Sequence, residues 1–247
     1  MIDCHCHLDD KIFNLDLDEV VKNSKEKLKA VVSASSSFYS NQKNFGIKKQ
    51  FPDFVHSCFG LDPVHCLREE KVDETIEFIR ENSDVMTAIG EVGIDYYWEK
   101  NPVKQCENFT KFIKLAGELD KPIVVHARNS MEDVLHCLKN HSSEVLIHCF
   151  SGGKEHAKEC MDRGYYMIFN TSSCFLPDRK SLIKFVDLDY MLTETDSPYN
   201  HPERKGRNEP VNVVYLVDLI ASIKELQVDE VNKKIDLNAE KAFKIKL

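Results

Sequence analysis

The chain has 247 residues, of which 42% are hydrophobic and 30% are charged, as is usual for a soluble globular protein. Its formal net charge of −8 argues against a broad basic surface that grips nucleic acid non-specifically, although a local metal site could still hold a phosphate. No apolar run approaches the ~18 residues of a transmembrane helix, so no membrane association is expected. Because no signal peptide is visible, we expect a cytoplasmic protein whose nine cysteines are free thiols.

Short apolar runs alternate with longer amphipathic segments along the chain. The predicted strands are 2–7, 29–35, 54–60, 85–91, 123–126, 145–149, 165–170 and 190–196. The clearest helix is Pro102–Leu119, where apolar residues recur every three or four positions, Pro102 suits the first turn and Asp120 begins the stop. Further helices are predicted over 72–81, 130–139, 154–163, 211–226 and Val228–Phe243.

Eight strands alternating with helices, with no linker between them, predict an α/β fold that is a single-domain (β/α)8 TIM barrel over residues 1–247. An open, doubly wound sheet is less favoured. The sequence contains neither of the glycine-rich phosphate loops, G-x-G-x-x-G and G-x-x-x-x-G-K-[ST], that commonly follow an early strand of such a sheet.

The first predicted strand carries two histidines separated by one residue. In a regular strand His5 and His7 project from the same face together with Asp3, and Cys4 and Cys6 project from the other. Two imidazoles placed in this way can bind one divalent ion. The alternatives are two ordinary histidines or a structural Cys/His zinc site, and no second Cys/His pair follows at the short spacing that a zinc site needs.

Four later strands each end in a residue that could bind a metal. These residues are Glu91, His126, His148 and Asp196. In a TIM barrel the carboxyl ends of the strands form the active-site face. Each residue alone could be a rim histidine, a helix cap or an ion-pair partner, but together with the first two histidines they form the ligand set of a two-metal hydrolase. In such a site one carboxylate must bridge two ions about 3.5–4 Å apart, and Glu91 has the position for that.

The segments around these residues resemble the TatD family of metal-dependent deoxyribonucleases, which belongs to the amidohydrolase superfamily. The resemblance rests on 5–9 (HCHLD), 90–97 (GEVGIDYY), 125–128 (VHAR), 148–152 (HCFSG) and 193–199 (TETDSPY), with support from 207–210 and 238–243. It implies two divalent metal ions (Zn, Mg or Mn) and the hydrolysis of DNA phosphodiester bonds. The ligands that it implies are His5, His7, Glu91 and Asp196 for one ion, and Glu91, His126 and His148 for the other.

Other residues are given roles beside this ligand set. We expect Asp196 to accept the proton of the attacking water as well as binding metal. Glu194, on the same strand face, either orients a ligand histidine or is an inward-facing structural acid. Arg128 suits a phosphate contact, and Arg207 either binds phosphate or ties the last loop to the barrel.

Three further segments leave alternatives open. The family usually has Gly-x-His-Pro-His after the third strand, whereas this chain has Asp62 at the first histidine position and His65 displaced by one residue from the second. An acid facing a phosphodiester would repel it, although His65 could still contact substrate.

Tyr96, Tyr97 and Trp98 could stack on bases but more readily form core that covers the barrel mouth. A cysteine nucleophile is not expected, because strand alternation directs Cys149, like Cys4 and Cys6, away from the histidines.

The leading hypothesis is therefore a dinuclear metal hydrolase that acts on DNA or another phosphodiester, with no obligate protein partner. The same metals could instead hydrolyse another ester or amide, such as an aminoacyl ester on RNA. A third possibility is a metal-binding barrel that serves as a scaffold without catalysis.

Overall fold

The computed structural model describes residues 1–68, 71–98 and 100–247. In these ranges the strands are β1 (Ile2–Cys6), β2 (Ala30–Ala34), β3 (Val55–Phe59), β4 (Ala88–Asp95), β5 (Ile123–Arg128), β6 (Val145–Ile147), β7 (Tyr166–Asn170) and β8 (Met191–Glu194). The helices are α1 (Leu17–Lys25), α2 (Phe38–Gln50), α3 (Pro63–Arg68), α4 (Val72–Glu81), α5 (Pro102–Leu119), α6 (Met131–Cys137), α7 (Lys154–Asp162), α8 (Pro177–Phe185), α9 (Val213–Lys224) and α10 (Val228–Phe243).

The strands form one parallel sheet in the order β1 to β8. Its two edges meet, because His5 O accepts a hydrogen bond from Asp196 N at 2.9 Å and His7 N donates to Ser197 O at 2.8 Å. The predicted (β/α)8 TIM barrel is thus confirmed. Helix α5 has the predicted bounds: Asn101 caps its first turn by accepting from Lys104 N.

One apolar cluster takes residues from all eight strands and fills the barrel interior, together with Phe243 of α10. Helix α10 covers the amino end of the barrel, where Asp236 binds the Met1 amino group at 3.4 Å and the Lys29 Nζ at 2.8 Å. Filling and covering this end leaves the carboxyl end as the open face.

A bulge between Asp3 and Cys6 changes which residues of β1 face inward. Cys4 belongs to the interior cluster, whereas Cys6 packs with Phe13 and Val20 beneath the outer helices. The Asp3 carboxylate accepts hydrogen bonds from His5 N and from Thr195 N. The prediction from strict alternation was therefore wrong for Cys4 and for Asp3, because the extra residue interrupts the two-residue period.

Strand β4 begins and ends later than predicted, so Glu91 lies within the strand rather than at its end. The strand continues through Val92 and Ile94 and is irregular between Ile89 and Val92. Glycine is required at position 93, where φ is 150° and a Cβ atom would lie 2.0 Å from His126 O. This close approach fixes β4 against β5 and brings their metal-capable side chains together.

Candidate metal centre and active site

Six side chains converge at the carboxyl end of the barrel. They are His5, His7, Glu91, His126, His148 and Asp196, which are the residues that the sequence predicts as metal ligands. Two overlapping groups have ligand atoms within 4.8 Å of one another: His5, Glu91 and His148 form one, and His5, His7 and Asp196 form the other. His126 borders the first group, with its Nδ1 3.1 Å from His148 Nε2.

Glu91 Oε2 lies at the centre of this cluster. It is 3.0 Å from His5 Nε2, 3.4 Å from His148 Nε2 and 3.9 Å from His7 Nε2. This oxygen is buried, and no described residue forms a hydrogen bond with it. A buried carboxylate oxygen surrounded by imidazole nitrogens is a costly arrangement for a protein unless a cation occupies the space between them. The donor set of four imidazole nitrogens and two carboxylates fits zinc, and its oxygen ligands also suit manganese or magnesium.

The charges within the cluster also indicate a cation site. Burial opposes protonation of His7, but its hydrogen bond to Asp196 and the charge of Glu91 outweigh this and raise the pKa of His7 to about 10. Burial is likewise outweighed at His148, where the charges of Glu91 and Glu194 raise the pKa to about 9. Burial and the charge of His148 lower the pKa of His5 to about 4. Protons on two histidines thus balance the carboxylates that a divalent ion would otherwise neutralise.

A carboxylate outside the ligand set holds His126 in place. Asp95 Oδ2 lies 2.9 Å from His126 Nε2, while Asp95 Oδ1 accepts from the backbone nitrogens of Tyr97 and Trp98. His126 Nε2 therefore carries the proton and Nδ1 presents its lone pair towards His148. Asp95 was not among the residues predicted from the sequence. Its position, as the acid that follows the apolar residues of the Gly90–Tyr97 motif, could have indicated a partner for a ligand histidine.

Glu194 lies beneath His148 and is fully buried. Its Oε1 accepts from Cys149 N at 2.8 Å and lies 3.6 Å from His148 Nδ1. Burial raises the pKa of Glu194 to about 7, against the lowering effect of the His148 charge. Of the two roles considered for this acid, the contact with His148 favours orientation of that ring.

The cluster opens into a cavity of about 690 Å³. Two arginines line it, Arg128 at the end of β5 and Arg179 on α8. Arg128 was predicted to contact phosphate, and Arg179 was missed because nothing in its sequence neighbourhood marks it.

Cys149 also lines this cavity, with φ of 46° and its Sγ accepting from Asn170 Nδ2 at 3.0 Å. The expectation that Cys149 faces away was wrong, since β6 ends at Ile147 and strand alternation does not continue beyond it.

Two predicted substrate contacts lie outside the residues that line this cavity. The Asp62 carboxylate caps α3 by accepting from His65 N at 2.7 Å, and it also lies 2.9 Å from His65 Nδ1. Both oxygens of Asp62 thus have partners within His65, and neither residue is among those that line the cavity that contains Glu91. Arg207 donates to both oxygens of Asp16 and to Glu209 Oε1, which ties the last loop to the start of α1. The structure thus favours the tying role of Arg207 over phosphate binding.

The whole chain also matches known proteins. The family model described as TatD related DNase matches residues 2–244. The chain belongs to this family. It is 37% identical over its full length to an uncharacterised metal-dependent hydrolase of Methanocaldococcus jannaschii, covering 98% of that protein. It is also 31% identical to the human deoxyribonuclease TATDN3, across 98% of this chain and 94% of the human one.

Solved structures of the same family share the fold. A TatD family hydrolase from Entamoeba histolytica superposes with a TM-score of 0.90 and 19% identity, covering 98% of this chain and 97% of that one. YJJV, a TatD homologue from Escherichia coli, gives 0.90 and 18%, covering 100% and 98% of the two chains. Family membership identifies this protein as a metal-dependent hydrolase, and the solved structures share its TIM-barrel fold. None of the helices in the described residues is long and apolar enough to cross a membrane.

Proposed function

We propose that the protein is a deoxyribonuclease that hydrolyses phosphodiester bonds at a site holding two divalent ions. The observation that carries the proposal is the position of Glu91 Oε2, which lies 3.0 Å from His5 Nε2 and 3.4 Å from His148 Nε2 and so stands between the histidines assigned to the two ions. One cation cannot use all six converging side chains in a tetrahedral site, whereas two ions sharing Glu91 can.

In this proposal His5, His7 and Asp196 would hold one ion, His126 and His148 the other, and Glu91 would contact both. The ions, when bound, supply the Lewis acidity that activates water and stabilises charge on the phosphoryl and leaving oxygens. The protein holds the ligands in place: Asp95 orients His126, and Glu194 with its backbone contact at Cys149 orients His148. Because these supporting groups are buried, the ligand positions are fixed before substrate arrives.

Asp196 is the proton acceptor in this scheme. Burial would raise its pKa, but the hydrogen bond and the charge of His7 outweigh burial and lower the pKa below that of an ordinary aspartate. Its Oδ2 accepts from Asn200 Nδ2 at 2.7 Å, which fixes the carboxylate at the cavity wall. Asp196→Asn removes this acceptor with little change in shape. Retention of both metals with full turnover at neutral pH would show that the base is another group.

The DNA substrate is supported by the description of the matching family and by the name of the human relative. On this chain Arg128 and Arg179 line the cavity that contains Glu91, so a phosphodiester at the metal site would have cations beside it. This local charge compensates for an overall negative protein.

The other hypotheses lose their main support. Hydrolysis of an aminoacyl ester was kept open by Asp62, which caps α3 and is not among the residues that line the cavity that contains Glu91. A scaffold without catalysis is disfavoured by membership of a family of metal-dependent hydrolases and by a complete, converging ligand set.

The experiment is digestion of single-stranded DNA labelled at its 5′ or 3′ end. Protein stripped with EDTA is resupplied with Mg²⁺, Mn²⁺ or Zn²⁺ and run beside Glu91→Ala. Laddering from one end that needs metal and is lost in Glu91→Ala would support the proposal and give the polarity. Failure of the wild-type protein to cut DNA with any of the metals, despite bound ions, would contradict a deoxyribonuclease.

A further inference from the structure

Two cysteines meet between α5 and α6, on the outside of the barrel. Cys106 lies in the second turn of α5, and Cys137 is the last residue of α6. Their thiols are hydrogen-bonded to each other. Both side chains are half-buried, whereas five of the nine cysteines of the chain are fully buried. This pair of thiols is therefore open to a reagent in solvent.

The facing surfaces of the two helices hold the thiols together. Thr110, one turn after Cys106, forms a further hydrogen bond with the Cys137 thiol. Asp133, one turn before Cys137, accepts from the Tyr96 hydroxyl at 2.6 Å, and that hydroxyl is also hydrogen-bonded to the Cys106 thiol. Residues four positions apart share a helix face. The contact between the thiols thus belongs to the packing of α5 on α6.

The same group of residues is anchored to the core. Tyr96, Cys106 and Cys137 all pack against the main apolar cluster of the outer layer. Tyr96 is the one member of the aromatic segment that packs as predicted. Tyr97 is 53% exposed and Trp98 59% exposed, so the prediction that they form core was wrong. The two thiols therefore have a fixed support on one side and solvent on the other.

The two thiols differ in access and in acidity. Cys106 lines an open groove of about 580 Å³ together with Tyr96 and Thr110, and Cys137 is not among the described residues that line it. Burial, with the charge and hydrogen bond of Cys106, raises the pKa of the Cys137 thiol to about 12. The thiolate is the form of cysteine that attacks a disulfide. Cys106 is therefore the sulfur that reacts first with a reagent in the groove.

We propose that Cys106 and Cys137 are a redox modification site, at which a small-molecule disulfide such as oxidised glutathione converts the two thiols into a disulfide that joins α5 to α6. The Cys106 thiolate attacks one sulfur of the reagent and releases one glutathione thiolate, which takes the proton that Cys106 lost. The Cys137 thiolate then attacks the Cys106 sulfur, and the second glutathione leaves with the proton of Cys137. Two protein thiols are oxidised and one glutathione disulfide is reduced to two thiols.

The new bond encloses a segment that serves the active-site face. Strand β5, with His126 and Arg128, lies between the two cysteines. A cross-link restricts the unfolded chain and stabilises the folded state where the native geometry accepts it. Oxidised protein should unfold at a higher urea concentration than reduced protein, and dithiothreitol should reverse the change. A lower midpoint after oxidation would contradict the inference, because the bond would then distort the packing of the two helices.

Disulfide mapping tests the pairing directly, because the tryptic peptides 105–111 and 129–139 each contain one of the two cysteines and no other. Native, reduced protein is treated with oxidised glutathione, blocked with N-ethylmaleimide in urea and digested. The expected product is the two peptides joined to each other, with no glutathione attached. Maleimide on both peptides, or glutathione retained on the wild-type Cys106, would overturn the proposal.

Serine substitutions test the order of attack. In Cys137→Ser the reaction should stop after its first step and leave glutathione on Cys106. In Cys106→Ser the thiol of Cys137 should be recovered with maleimide. Cys174→Ser is the matched control, because Cys174 is also half-buried and its Sγ donates to Tyr215 O away from this pair. Glutathione on Cys137 alone, or loss of the disulfide in the control, would contradict the assigned roles.

Discussion

The Asp95 carboxylate joins the backbone of the β4 turn to His126: one oxygen accepts from Tyr97 N and Trp98 N, and the other lies 2.9 Å from His126 Nε2. The residue that shapes the aromatic turn at the mouth thus also fixes which nitrogen of His126 faces the metal ligands. Ligand orientation and the turn that carries Tyr97 and Trp98 therefore depend on the same side chain.

Asp95→Asn should weaken metal binding while the fold is retained. The amide can still accept from the turn, but it presents an N–H to His126 Nε2 and so favours the tautomer whose proton lies on Nδ1. Loss of such a partner typically costs 10- to 100-fold in metal affinity. Competition with a fluorescent zinc chelator would measure it. Asp73→Asn, an exposed carboxylate on α4, is the control and should bind metal like the wild type. Equal affinities in the two variants would mean that Asp95 does not orient the ligand.

Metal binding should release about two protons per chain at pH 7. The raised pKa values of His7 (about 10) and His148 (about 9) keep both rings protonated in metal-free protein at this pH, whereas the pKa of His5 (about 4) leaves that ring neutral. A proton must leave each of the first two rings before its lone pair can bind an ion. Affinity should therefore rise with pH by up to about 100-fold per unit between pH 7 and 9. Titration calorimetry in buffers of different ionisation enthalpy counts the protons, and a count of zero would contradict this charge balance.

Protonation of His7 also makes the stability of the metal-free protein depend on pH. The pKa of His7 is raised from 6.5 to about 10 in the folded protein, so its contribution is fully present below pH 6.5 and is lost as pH rises towards 10. Metal-free protein should accordingly become less stable to urea between pH 7 and 9.5, and His7→Gln should flatten that slope. If the stability of the metal-free wild type rose over this pH range, the raised pKa of His7 would be contradicted.

Gly93→Ala should destabilise the barrel and disturb the site together. A Cβ at this position meets His126 O at 2.0 Å, with φ at 150°, so the backbone of β4 or β5 must move. Strain of this kind costs ~1–3 kcal/mol. Gly117→Ala in α5 is the control: a Cβ there meets nothing within 4 Å, and we expect a gain of ~0.4–1 kcal/mol. Urea unfolding of both variants checks the pair, and equal stabilities would contradict the close approach of β4 and β5.

Arg179→Ala should raise KM for single-stranded DNA roughly ten- to 150-fold with little change in kcat. Arg179 lines the cavity, and a hydrogen bond from a charged group to phosphate contributes ~1.5–3 kcal/mol. Arg207→Ala is an informative comparison. Because the Arg207 guanidinium is paired with Asp16 and Glu209, its removal should lower thermal stability and leave KM unchanged. The opposite pattern, with KM raised only in Arg207→Ala, would restore the substrate role first considered for Arg207.

The sequence was sufficient for the barrel and for α5 and α10, which follow from periodicity. It was also sufficient for the six residues that converge, because they lie at or near strand ends within recognisable family motifs, although Glu91 lies inside β4. It was insufficient where one residue changes a strand's register. The bulge in β1 put Cys4 inside the barrel, and the irregularity in β4 extended that strand to Asp95. Arg207 could not be assigned because its partner Asp16 lies 191 residues away. Asp62 carried a readable signal, since Asp followed by Pro commonly starts a helix.

The most direct test of the account is the number of metal ions bound per chain. Metal-stripped wild type, Glu91→Ala and a Glu203→Ala surface control are loaded with Mn²⁺, passed over a desalting column and analysed by plasma mass spectrometry against protein concentration. The shared position of Glu91 predicts two ions in the wild type and the control, and at most one in Glu91→Ala. A single ion in the wild type, or two retained by Glu91→Ala, would contradict the proposed dinuclear centre.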